Sequence, residues 1–157
     1  MITSIWTNPG GDARIAQDLR RQVFQRELGL EAYADMERMD GYCFHLVLKL
    51  GDEPVAAGRI SYASLGVAKL SGICVLKKYR RQGIGDGLVK VLDYKASQLG
   101  MQYSAVDAAE ELIPFYQRIG YQPCGEKFTK WGLTLVPMKK ETNDGTRENC
   151  AHQCPGP

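Results

Sequence analysis

No apolar run in this chain is longer than a strand. A membrane-spanning helix needs about 20 such residues, so no membrane partner is expected. Nor does a basic stretch lead into an apolar one near the start, so no secretory signal is expected. A surplus of one charge is also missing. The chain has 20 Lys and Arg against 18 Asp and Glu, a formal +2. A duplex needs a broad basic stripe, and here the basic residues cluster only at 77–81, which suits a small anion better than a nucleic acid. Cysteine is sparse and odd in number: Cys43, Cys74, Cys124, Cys150 and Cys154. The first three lie in apolar, strand-like segments, where reduced buried cysteine is common. The pattern is no disulfide framework and implies a reducing, cytoplasmic compartment. Cys150-Ala151-His152-Gln153-Cys154 lacks the second pair that a zinc site needs, so no metal is expected.

What remains is a 157-residue chain of ordinary globular composition, enough for one sizeable core. Residues 1–140 read as a single domain. Residues 141–157 hold almost no large apolar side chain and read as a disordered tail. A first strand at 2–6 ends at Asn8-Pro9-Gly10-Gly11. Asp12 can cap a helix with Ile15, Leu19 and Val23 on its inner face, Ala16 and Phe24 beside them, and Arg20, Arg21 and Gln25 outside. Gly29 stops it. Residues 31–39 are polar and mixed, a short helix or a loop. Strands at 43–50, 55–63 and 67–76 form an antiparallel meander. A helix follows with Ile84, Leu88, Val91, Leu92 and Leu99 on one side. Then come a strand at 101–106, a short helix at 110–119 containing Pro114, and strands at 121–124 and 133–139. The order predicts an α/β fold with a mixed, mostly antiparallel central sheet and helices on both faces.

The most informative stretch is Val75-Leu76-Lys77-Lys78-Tyr79-Arg80-Arg81-Gln82-Gly83-Ile84-Gly85. A strand runs into a basic, glycine-bearing turn that opens a helix. Backbone N–H groups there converge at the positive end of the helix dipole, a natural seat for phosphate. Glycine lets the main chain approach the anion closely. No Gly-Lys-Ser/Thr triplet follows, which excludes a P-loop, and Gly83-Ile84-Gly85-Asp86-Gly87-Leu88 has the wrong spacing for a dinucleotide fingerprint.

Arg80-Arg81-Gln82-Gly83-Ile84-Gly85 resembles the [Q/R]-x-x-G-x-[G/A] turn of the GNAT superfamily of acyl-CoA-dependent N-acyltransferases. Phe115-Tyr116-x-x-x-Gly120-Tyr121 resembles that superfamily's F-Y-x-x-x-G-F element at the right distance downstream. Val23-Phe24-Gln25-Arg26-Glu27-Leu28-Gly29 and Gly125-Glu126-Lys127-Phe128 are similar to one bacterial-type branch. The likeness spans roughly residues 1–140. It implies a GNAT-like fold whose fourth and fifth strands part, and acetyl-CoA as cosubstrate. Main-chain groups of Ile73, Cys74 and Val75 would pair with the pantetheine arm. N–H groups of Arg81, Gln82, Gly83, Ile84, Gly85 and Asp86 would hold the pyrophosphate, with Arg80 or Arg81 adding charge and Phe115 and Tyr116 nearby. Tyr116 would donate a proton to the departing thiolate, and the Val75 N–H would serve the oxyanion. Two departures stand out: Asp86 brings a negative charge beside the phosphate seat, and Ala108-Ala109-Glu110 has no Asn where many relatives carry one.

The reaction so implied is direct attack of a primary amine, on a small molecule or a peptide, on the thioester. The alternative is an acyl-CoA binder or sensor without turnover. An ammonium has a reference pKa of about 10.4 and must lose a proton first. Glu27, Glu37, Asp40, His45 and Asp107 are the candidate acceptors, unranked. His45, between Phe44 and Leu46, reads rather as a satisfied buried histidine. Glu27 reads as either a substrate contact or a helix contact. Cys74 reads as structural, since direct transfer needs no covalent step. The segment 30–42, with Glu31, Asp35, Glu37 and Asp40 against Arg38, is either an acidic rim that attracts a cationic amine or a solvated loop. Oligomeric state stays open, a homodimer included.

Overall fold

The computed structural model describes residues 1–30 and 33–142. The order is β1 (Ile2–Thr7), α1 (Arg14–Arg20), a π-helical turn (Arg21–Glu27), α2 (Tyr33–Glu37), β2 (Phe44–Leu50), β3 (Glu53–Ser64) and β4 (Val67–Val75). Then follow α3 (Ile84–Gln98), β5 (Tyr103–Ala109), α4 (Ile113–Arg118), β6 (Gln122–Pro123), β7 (Phe128–Lys130) and β8 (Leu133–Glu141). Single 3₁₀ turns cover Asp40–Tyr42, Lys77–Tyr79 and Glu110–Leu112. The sheet runs β1-β2-β3-β4-β5-β8-β6, with β7 also on β8. Among the described strands only β4 and β5 pair in parallel. Among the described residues no helix is long and apolar enough to cross a membrane.

Side-chain alternation along the strands sorts the two faces. Val47, Ala57 and Cys74 pack with Ala16, Leu19 and Val23 of the first helical segment. Their neighbours Leu46, Leu48 and Ala56 pack with Leu88, Val89 and Leu92 of α3. A mixed, mostly antiparallel sheet thus carries helices on both faces, as expected. Gly58 permits the closest approach of α3: a Cβ there would meet Leu92 Cδ1 at 2.7 Å.

The first helix corrects the sequence reading. Its buried stripe is Ala16, Leu19, Arg20 and Val23, and Ile15 is 47% exposed. The inner face is turned by about one residue because Arg20, expected outside, reaches Asp40 under the sheet at 3.3 Å. The N-cap position belongs to Ala13, which offers no side-chain cap; Asp12, expected to cap, stands one residue earlier, where its Oδ1 accepts the Arg14 N–H at 3.0 Å. The helix widens at its end, where the Leu28 N–H donates to the Val23 carbonyl, five residues back. The segment 31–39 contains α2. Strand β7 was not foreseen. It pairs with β8 through a tight hairpin whose turn residues, Trp131 and Gly132, have φ of 54° and 74°. β8 runs to Glu141, one residue into the expected tail. Thr142 is also ordered against the fold: it is buried, and its hydroxyl donates to the Met101 carbonyl at 2.7 Å. The tail reading from 143 onward, with Cys150 and Cys154, lies outside the described residues.

The parting of β4 from β5 positions the site. Their pairing covers only Val67–Lys69 against Tyr103–Ala105. Beyond Lys69, among the described residues, the inner edge of β4 has no strand beside it. A bulge sets the break: Ala57 pairs with Cys74 and Arg59 with Ser71, so Gly72 and Ile73 stand against Gly58 alone. Gly72 has φ +58°, and a Cβ on it would lie 2.8 Å from Arg20 Cδ. Only glycine meets both demands.

Candidate active site

The open edge of β4 carries free main-chain groups at its end. The Leu76 N–H donates to the Val55 carbonyl at 2.9 Å, toward β3. Strand alternation turns the Val75 N–H and C=O the other way, into the parted region. The Val75 carbonyl accepts from Arg80 Nε at 2.8 Å, which leaves the N–H as the outward group. Arg80 then grips Glu27 with both terminal nitrogens at 2.6 Å. This pair holds the Glu27 carboxyl below its usual range, through the hydrogen bonds from Arg80. Both ends of the guanidinium are thus committed to protein, and Glu27 is tied to the turn.

Past Arg80 the chain makes two left-handed residues, Arg81 at φ 63° and Gly83 at φ 81°. Arg81, with a Cβ, sits there at a cost of about 1–2 kcal/mol, strain of the kind that collects at ligand-holding turns. The first bond of α3 runs from the Gly87 N–H to the Gly83 carbonyl. The N–H groups of Ile84, Gly85 and Asp86 therefore have no partner within the helix. Phe115 covers Gly85, whose added Cβ would touch Phe115 Cζ at 3.6 Å. Asp86 points away to Arg118, 3.0 Å.

Tyr116 lies beneath the parted strands, its ring edge-on to Phe115 (5.0 Å, 82°) and Tyr121 (5.6 Å, 77°). Burial pushes its phenol up to about 12. It is a neutral donor across the physiological range, and it lines a cavity of about 290 Å³ on the α1 side of the sheet. The walls are largely apolar, Phe24, Ile73, Trp131 and Leu135 among them; the polar groups are Arg59, Ser61, Lys69, Ser71, Asp107 and Lys130.

Of the five carboxylate and imidazole candidates, Asp107 alone lines this cavity, paired with Lys69 at 2.7 Å. Glu27 belongs to Arg80, and Glu37 receives Arg21 Nε at 2.7 Å. Asp40 is buried between Arg20 and Arg59, 2.7 Å from the latter. His45 is buried behind it. Its Nε2 lies 2.8 Å from the Asp40 carbonyl and its Nδ1 3.2 Å from Arg20 Nη2. The carbonyl only accepts and the guanidinium only donates, so the neutral Nε2–H tautomer satisfies both. Burial accordingly lowers its pKa. Cys74 is buried and its thiol is pushed up to about 11 by burial, an inert group. The acidic rim is corrected as well. Asp35 pairs with Arg38 and Glu37 with Arg21, Asp40 is interior, and Glu31 lies outside the described residues.

Sequence reasoning missed Arg59, Lys69, Ser71, Lys130 and Trp131. Alternation in β3 and β4 could have flagged Arg59, Lys69 and Ser71 as polar residues on a covered face. The last two arrive through the unforeseen hairpin.

The acetyltransferase (GNAT) domain family matches residues 14–142. The uncharacterized N-acetyltransferase YjcF of Bacillus subtilis is 32% identical over 124 residues, 78% of this chain and 88% of that protein. The crystal structure of Escherichia coli ElaA superposes with a TM-score of 0.80 at 23% identity, over 90% of this chain and 100% of that one. A GNAT family acetyltransferase from Elizabethkingia anophelis, crystallised with acetyl-CoA bound, superposes at 0.67 and 18% identity, over 89% and 97%.

Proposed function

The chain belongs to the acetyltransferase (GNAT) family, and on that footing we propose that it moves an acetyl group from acetyl-CoA to a primary amine by direct attack. The observation that carries this reading is the unpartnered inner edge of β4, ending at the outward Val75 N–H and opening on the cavity above Tyr116. An extended pantetheine arm would continue the sheet there, while the free N–H groups at the start of α3 receive the diphosphate. The acetyl-CoA bound to the Elizabethkingia protein supports the choice of donor.

In this reading the amine nitrogen attacks the thioester carbon and the C–S bond breaks. The Val75 N–H stabilises the oxygen as it gains charge. Asp107 orients the amine and takes its proton, directly or through water. Tyr116 donates a hydrogen bond to the departing sulfur. A phenol at about 12 does not fully protonate a thiolate whose reference pKa is about 8.5. Its part is to hold the leaving sulfur, and solvent completes the proton transfer. Glu27 positions Arg80 and touches no reacting atom.

Tyr116→Phe is the decisive variant. Removing one hydrogen bond to a charged group costs about 1.5–3 kcal/mol. The expected result is a fall in kcat of roughly 10- to 150-fold, with the acetyl-CoA dissociation constant within about twofold. Thiol release with acetyl-CoA and an amine panel gives the rate, and calorimetry gives the affinity. Acetyl-CoA binding by a chain that releases no thiol with any amine would favour a binder or sensor.

A further inference from the structure

We propose that the acceptor is a small amine that also carries an anionic group, and that Arg59 receives the anion. This deepens the acetyl-transfer reading and rests on it. Among the described residues three cations, Arg59, Lys69 and Lys130, line the cavity, against one carboxylate, Asp107. Lys69 is spent on Asp107, so the uncompensated charge belongs to Arg59 and Lys130.

Arg59 is built to hold a fixed position. Its Nε donates to Ser71 Oγ at 2.8 Å, and Nη1 donates to Asp40 and to the Met36 carbonyl. The other terminal nitrogen, Nη2, has no protein partner among the described residues, and the side chain borders the cavity. A guanidinium held by three bonds loses little freedom when it binds an anion. The charge behind it is also incomplete. Asp40 is shared between Arg20 and Arg59, both buried, and the neutral His45 behind it, against Arg20, adds no negative charge. Two guanidinium groups thus face one carboxylate, and Arg20 Nη1 is buried with no hydrogen-bond partner. Buried cations are normally matched; among the described residues this group is one anion short, and Arg59 is its member that borders the cavity.

The remaining walls define the rest of the molecule. Asp107, paired with Lys69, lines the same cavity as Arg59 and is the carboxylate placed to meet the amine. Trp131, Phe24 and Leu135 offer apolar surface. At about 290 Å³ the space lies at the lower end of small-ligand pockets. An amino-acid-sized zwitterion with an apolar body fits this description, whereas a polyamine finds one carboxylate and surplus positive charge.

Matched pairs test it. L-Phenylalanine against 2-phenylethylamine differ by a carboxylate; 2-aminoethyl phosphate against ethanolamine differ by a phosphate. Thiol release with acetyl-CoA should favour the anionic member of one pair by tenfold or more in kcat/KM, and the pair that responds identifies the anion. Calorimetry with coenzyme A present covers the case of slow turnover: N-acetyl-L-phenylalanine should bind at least tenfold tighter than N-(2-phenylethyl)acetamide, or 2-aminoethyl phosphate than ethanolamine. Lys130→Gln, on the exposed hairpin, leaves the buried cluster intact and should cut the preference about threefold. Arg59→Gln should abolish it, with far-ultraviolet circular dichroism reporting the fold. Equal or better use of the neutral member in both pairs, or no anion preference in binding, overturns the proposal. Acetyl-CoA binding without acceptor, measured separately, reports on the donor reading, which stands or falls independently.

Discussion

Two regions of this molecule are made of opposite materials. The turn at the start of α3 is main chain: two left-handed residues, a run of unpaired N–H groups and glycines that clear the approach. The cluster under β3 and β4 is side chain: Arg20 from α1, Asp40 from a 3₁₀ turn, His45 from β2 and Arg59 from β3. The turn is contiguous in sequence, so it can be read as a motif. The cluster is assembled from positions 39 apart and exists only once the sheet has formed. The two should answer mutation differently: a site made of main chain tolerates most side-chain changes, whereas a buried network of shared charges is most sensitive to loss of the one carboxylate its arginines share.

The largest difference is expected at Asp40. Asp40→Ala leaves two buried guanidinium groups without their carboxylate. Breaking a buried ion pair by removing one partner costs about 3–5 kcal/mol, a large share of a typical domain's stability. Gln82→Ala, in the exposed turn, should change stability by less than about 0.5 kcal/mol. Urea unfolding measures both. If Asp40→Ala costs under 1 kcal/mol on the order-of-magnitude scale of a surface change, the contrast collapses.

Glycines sharpen it next. Gly72 lies against the cluster, with φ +58° and Arg20 Cδ 2.8 Å from any added Cβ. Gly72→Ala should cost about 1–3 kcal/mol through strain and overpacking together. Gly85 lies in the turn, where a methyl meets only ordinary contact at 3.6 Å. Alanine also favours the helix by up to about 1 kcal/mol, so Gly85→Ala should be neutral or mildly stabilising. Thermal unfolding of the two variants, run side by side, tests the pair.

The same contrast explains what the sequence disclosed. Strand and helix positions followed from periodicity, and the glycine-bearing turn before α3 from a short run of adjacent residues. The face of α1 was misjudged because an arginine was assumed to be outside; nothing local says that Asp40 awaits it beneath the sheet. The five proton-acceptor candidates could not be ranked for a related reason. Glu27, Glu37 and Asp40 look alike as letters and differ only in which arginine each one meets. The parting of β4 and β5 was expected only through family likeness. Its local cause, the bulge at Gly72, carries a faint signal, an isolated glycine inside a strand pattern. The cavity's Trp131 and Lys130 were invisible because β7 is three residues long and its turn, Trp-Gly, lacks the usual Asn or Asp.

Acid should find the cluster before the turn. His45 is buried neutral, its pKa lowered from 6.5 by burial. In the unfolded chain it takes up a proton below about 6.5, while in the folded chain a proton on Nδ1 would face Arg20. The unfolded state binds more protons in that window, so stability is full above about pH 6.5 and falls as pH drops toward the folded pKa, by up to about 1.4 kcal/mol per unit. Asp40, also lowered, by its hydrogen bonds and the two arginines against the opposing effect of burial, loses its contribution only below its usual 3.8. The two windows are therefore separable. Denaturant midpoints between pH 7.5 and 5.5 should decline in the native chain. They should stay nearly level in His45→Gln, whose amide can donate to the Asp40 carbonyl and accept from Arg20. A parallel decline in both would assign the slope elsewhere.

The smallest expected effect lies on the turn and concerns charge rather than fold. Asp86 is the only acidic side chain in the first turn of α3, and it is held by Arg118 at the surface. An exposed pair of that kind contributes about 0–1 kcal/mol, so Asp86→Asn should barely move the unfolding midpoint. Its effect on the proposed diphosphate seat has a definite sign. Removing one negative charge about 6–8 Å from an anion in water-like surroundings relieves roughly 0.5–0.7 kcal/mol, and it frees Arg118 to add its own attraction. Coenzyme A should bind two- to threefold tighter at low salt. The gain should vanish near 1 M salt, where the Debye length shrinks to about 3 Å. Weaker binding by Asp86→Asn would mean that the diphosphate does not lie at this helix end, and the main-chain half of the comparison would lose its function while the side-chain half kept its own.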